Sequence, residues 1–206
     1  MKRFKINNIM NFELAEDISE LLSTNKLDDA ILLAETKLKE QVSTDFNKLL
    51  GQDLLHQTDK LVDFFSDFCE SVISNLDLKA IYAEMNGFTI NCDLWFLDLF
   101  AYDKVGGTDD TDWLADWEEG NSTTNSFPLT GYEELQKTYQ DYMDNQKYKD
   151  SQIQAASDVA ELLIVLRLQE LVRAATEVAK NKNLFWATIP VFASAHDYYD
   201  TVYKAN

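Results

Sequence analysis

Cysteine is scarce in this chain, Cys69 and Cys92 being the only two. That scarcity excludes a disulfide framework and the multi-thiol cluster of a structural zinc site, and both residues read as reduced, buried thiols. Histidine is as scarce, with His56 and His196 alone, and no His or Cys pair has metal-ligand spacing. The few glycines form no phosphate-cradling loop, so nucleotide chemistry has no support. Long apolar runs are missing too. The longest aliphatic stretch, Leu162 to Leu166, stops at Arg167, far short of the ~20 apolar residues that cross a bilayer. The basic start at Lys2, Arg3 and Lys5 runs into NNIMNFELAED rather than an apolar segment, so no export signal is read and a cytoplasmic location is expected.

Positive charge is the other deficit. Against 36 Asp and Glu there are 18 Lys and Arg, for a net charge of −18. No basic patch interleaves with aromatics, which excludes ordinary nucleic-acid recognition, and the field repels anionic membranes. The charge is uneven: residues 51–150 hold 21 acids against 6 cations, which is −15 of the total. Such a field favours encounter with a basic protein partner. The densest block is residues 92–118, CDLWFLDLFAYDKVGGTDDTDWLADWE, where three of the four Trp and eight acids surround one cation, Lys104.

The first half reads helical, over residues 8–23, 26–41 with Asn25 as its N-cap, 57–75, and a short helix over 77–86. Gly87 ends that run. Residues 88–103 then alternate with apolar side chains on both faces, Trp95, Leu97, Leu99 and Ala101 opposite Leu94, Phe96, Phe100 and Tyr102, which predicts a strand covered on both sides. Residues 104–129 read as a long loop. A helix follows near Tyr132, with Thr130 and Glu133 as a capping box and Leu135, Tyr139, Tyr142 and Met143 as its apolar stripe. A helix of residues 153–181 is the expected scaffold of the core, and residues 186–196 give a second strand, with Pro190 marking an edge or a bend. The fold class is therefore α+β, predominantly helical. One domain of residues 1–206 is expected, with a helical front at 1–86 and the sheet, acidic loop and long helix at 87–206.

Four constellations bear on function. On the third helix Asp59, Asp63 and Asp67 repeat every four residues, a like-charged stripe that opposes folding and suits a basic surface. In the loop, Asp109, Asp110, Asp112, Asp116 and Glu118 surround Trp113 and Trp117, whose spacing puts both indoles on one face of a helical turn. Exposed, the indoles would anchor an interface and the acids would steer it. The acids lack the spacing of a calcium loop, and no metal or other cofactor is expected. On the long helix a helical wheel sets Asp158, Glu161, Gln169, Arg173, Thr176 and Lys180 on one polar face and Arg167 opposite, among apolar residues; a buried guanidinium demands a carboxylate, and Asp98, the lone charge of the first strand, is the expected partner. That pair, with His196 and Tyr102, is either structural or the core of a small-ligand or hydrolase pocket. His196 and Asp197 are adjacent in sequence, so on a strand they point to opposite faces, which argues against a Cys-His-Asp triad.

The helical front, the strand DLWFLDLFAYD, the loop DDTDWLADW and the ending IPVFASAHDYYD resemble small acidic bacterial proteins of uncharacterised families, some of which act as immunity proteins beside polymorphic toxins. The resemblance spans residues 88–206 in style and implies a stoichiometric inhibitor that covers a basic toxin domain. The expectation is a non-enzymatic acidic binding protein, with the ligand pocket as the alternative and self-association through exposed aromatics as a further outcome.

Overall fold

The computed structural model describes residues 9–42, 44–107, 111–118 and 120–206. Five helices lie at Ile9–Ser23 (α1), Leu27–Glu40 (α2), Thr58–Val72 (α3), Glu133–Asp144 (α4) and Ser151–Asn181 (α5). Five strands lie at Ala80–Met85 (β1), Phe96–Tyr102 (β2), Phe127–Pro128 (β3), Val191–Ala195 (β4) and Tyr203–Lys204 (β5). They form one mixed sheet in the order β3-β2-β1-β4-β5. β1 runs antiparallel to β2 and parallel to β4, while β3 and β5 are short antiparallel edges. The predominantly helical α+β class is as the sequence predicts.

α2 and α3 form because their apolar residues fall on one stripe. In α2, Leu27, Ala30, Ile31, Ala34 and Leu38 are buried, and in α3, Leu61, Val62, Phe65, Phe68, Cys69 and Val72. Both pack on α5. α5 starts where the Asp150 carboxylate accepts from the Gln152 and Ile153 amides, satisfying two of the free N–H groups of its first turn. It is buried almost all round, since α2, α3 and the sheet each take a side of it. Each fully buried Leu, Ile or Val along it contributes about 1.5–3 kcal/mol.

Several local expectations are corrected. Residues 80–85 form β1 at the centre of the sheet rather than a helix over 77–86. Ala, Glu and Met favour helices in isolation, but pairing on both edges overrides that preference. The first strand begins at Phe96, because residues 86–95 form a turn clamped by Asn86, whose side chain donates to the Leu94 carbonyl and accepts from the Phe96 amide. The second strand begins at Val191, after a 3-10 turn at Phe185–Thr188. Asn25 does not cap α2; it sits at φ +58° and accepts from the Tyr203 hydroxyl. Thr130 bonds Gln57 instead of capping α4, and Glu133 accepts from the Gly131 amide. Met143 is exposed, unlike Leu135, Tyr139 and Tyr142. Gln169 and Thr176, placed on a polar face by periodicity, are fully buried, with Gln169 donating to the carbonyls of Ala193 and Thr201.

Candidate functional site

The alternation of β1, β2 and β4 divides the sheet into two unlike faces. Ile81, Ala83, Met85, Leu97, Leu99, Ala101, Val191, Ala193 and Ala195 point into the main core beneath the helices. Ala80, Tyr82, Tyr102 and Phe192 join Leu114 in a second, smaller cluster, with Phe100, Trp113 and Val202 packed against it. The strand register sorts this second face into rows. Phe100, Tyr82 and Phe192 stand side by side as an aromatic row, and Asp98, Glu84 and Ser194 follow as a polar row. The polar row lies at the carboxyl ends of the parallel pair β1 and β4, where open sheets most often bind their ligands.

Among the described residues no α-helix covers the aromatic row. The loop over residues 111–118 does so, through a short 3-10 turn at Asp112–Ala115. Trp113 packs edge-on against Tyr102 at 5.0 Å and Phe192 at 5.3 Å, and its indole donates to the Gly107 carbonyl. Tyr102 donates to the Leu114 carbonyl at 2.6 Å. Trp113 is thus mainly part of the fold. Trp117 is different: it leans on Phe100 at 5.2 Å and stays 45% exposed. Beside it Asp116 meets Lys104 at 3.3 Å, and Glu118 is exposed. Asp109 and Asp110 fall outside the described residues.

At the polar row, Glu84 stands directly across from Asp98. The His196 ring bonds Glu84 through Nδ1 at 2.7 Å, and Thr123 donates to Asp98 at 3.0 Å. Burial pushes the Glu84 carboxyl up; His196 opposes that shift, and the charges of Asp98 and Asp197 add to it. A cleft of 340 Å³ opens here, walled by Ile90, Phe96 and Phe100 with Glu84, Asp98 and His196 on its polar side. Tyr82, one step along the same face, is fully buried, and burial, then Glu84, raises its hydroxyl well above the ordinary value.

The structure brings Asp98, His196 and Tyr102 to this face and removes Arg167 from it. Arg167 lies on the helical side, where Glu35 of α2 at 2.8 Å and Glu170 at 2.7 Å take its guanidinium. The expected Asp98–Arg167 pair is therefore replaced by one that docks α2 on α5. Burial acts to raise the Glu35 carboxyl, but the Gly51 amide, then Arg167 and Lys39, hold it below the usual range. Asp59, Asp63 and Asp67 are exposed on α3 as the spacing requires, Asp59 facing Lys182 at 3.4 Å. That stripe belongs to the helical side, so the sheet separates it from the Trp loop. Sequence reasoning missed Glu84, hidden in a segment read as helix. The alternation of Ile81, Ala83 and Met85 with Tyr82 and Glu84 was the signal that marks it as a strand residue. Among the described residues no group of three or more His, Cys, Asp or Glu is placed to hold a metal ion, and no helix is long and apolar enough to cross a membrane. No family model matches this chain, and no curated protein or solved structure matches it either.

Proposed function

We propose that this chain is a non-enzymatic binding protein that engages a basic protein through the loop-covered face of its sheet. The observation that supports this reading is the contrast between the two loop indoles. Trp113 is fastened into the fold, whereas Trp117 presents nearly half its surface to solvent next to Asp116 and Glu118. An exposed Trp ringed by acids has the composition of an interface anchor with a steering rim. Its sharpest form is an immunity function, in which the partner is a toxin domain and the chain covers the basic active site. A cytoplasmic setting fits this reading, since Cys69 and Cys92 are both free and buried.

The test is affinity capture from lysate of the source cells on wild-type, Trp117→Ala and Asp112→Asn/Asp116→Asn/Glu118→Gln baits. A protein of pI above about 9 should be held at low salt and released at high salt. With that protein purified, the charge variant should slow association and Trp117→Ala should speed dissociation. Unchanged kinetics for both variants would remove the proposal.

A further inference from the structure

We infer that the cleft at the Glu84–Asp98 row seats an arginine side chain of the basic partner; this inference rests on the binding function proposed above. Two carboxylates directly opposite on neighbouring strands repel each other and weaken the sheet. Among the described residues their neutralisation is incomplete: His196 touches one oxygen of Glu84, Thr123 touches one oxygen of Asp98, and no Lys or Arg pairs with either. The charge complement of the row is thus a cation from outside the chain. The rest of the cleft selects the kind of cation. At 340 Å³ it lies at the small end of ligand pockets, a size for one side chain rather than for a folded element. Ile90, Phe96 and Phe100 give an apolar wall along which an alkyl stem lies, with Trp117 extending it beyond Phe100. A planar guanidinium both spans two carboxylates and stacks on an aromatic ring, and an ammonium does neither as well.

Acetylated, amidated hexa-arginine and hexa-lysine peptides serve as probes. Their affinities for the full chain are measured by fluorescence anisotropy at about 50 mM salt, and their sites are mapped by amide NMR. Hexa-arginine should shift the amides of residues 84–91 and 96–100, bind several-fold tighter than hexa-lysine, and lose at least tenfold in affinity in Glu84→Gln/Asp98→Asn. Asp63→Asn/Asp67→Asn, which removes the same number of charges from α3, should change affinity less than twofold. Ile90 is 69% exposed, so Ile90→Lys leaves the fold intact, places a cation at the cleft mouth, and should block binding as strongly. If the peptide binds but shifts only the loop or α3, with Glu84→Gln/Asp98→Asn unaffected, this inference falls and the broader binding function stands. Equal affinity for hexa-lysine overturns the assignment to arginine. No binding of either peptide overturns both.

Discussion

The two faces of one sheet are covered in opposite ways. On one side α5, α2 and α3 bury a continuous apolar core; on the other a loop holds a few aromatic rings in place and leaves a row of acids partly open. The first arrangement stabilises the protein. The second gives up burial and keeps Trp117 and the acidic row within reach of solvent. Cover by a loop also means that the second face depends on single side chains, Trp113 above all, where the first is held by many.

The largest effect expected from this asymmetry is on the helical side. Trp186 is fully buried, stacked on Phe65 at 4.8 Å and donating to Ser66, so Trp186→Ala should cost about 3–5 kcal/mol in urea unfolding. Comparable loss from Trp113→Ala would erase the contrast between the faces. The next effect is pH-dependent. The Glu161 carboxyl of α5 is enclosed by Tyr198 and Ser157, and burial pushes it up from an ordinary 4.5 to about 7. The folded chain then keeps a proton that the unfolded chain releases, so the contribution is complete below pH 4.5 and is lost as pH rises through 7. Glu161→Gln should remove that loss, gaining roughly 3 kcal/mol on wild type between pH 5 and pH 8. Equal pH slopes for the two proteins would count against it.

On the loop side, a β-carbon added at Gly106 would lie 2.1 Å from the Trp113 ring. The indole is wedged between Tyr102 and Phe192 and cannot yield freely, so Gly106→Ala should cost about 1–3 kcal/mol and red-shift Trp emission. An unaltered spectrum would mean that the loop moves as a unit. The smallest effect belongs to the α3 stripe. Asp63→Asn should stabilise by about 0.2–0.5 kcal/mol for each like-charged pair relieved, and a loss of stability on thermal melting would show that the stripe is held by something other than solvent.

Helix positions were legible in the sequence wherever one apolar stripe faced one neighbour, as in α2 and α3. The reading failed where burial came from several sides. α5 is covered all round, so its wheel misassigned Gln169 and Thr176, and in β1 the helix preference of Ala, Glu and Met masked a short alternation that pairing on both edges then decided. Of the site, the Trp pair, Asp98 and His196 could be singled out one by one. Their grouping could not, because it depends on Glu84 being a strand residue and on Arg167 finding Glu35, a carboxylate from a helix far away in the chain.

The placement of β1 also sets an order of events during synthesis. Its antiparallel neighbour β2 follows at once, but its parallel neighbour does not: Ile81 pairs with Val191. Closing so long a span has a large entropic cost and is slow. Until residues 191–195 leave the ribosome, the central strand of the finished sheet is an open edge, with unpaired amides and carbonyls able to recruit a neighbouring nascent chain. A stop codon or stall within α5 would therefore release a chain with its helices largely present and its sheet primed to aggregate.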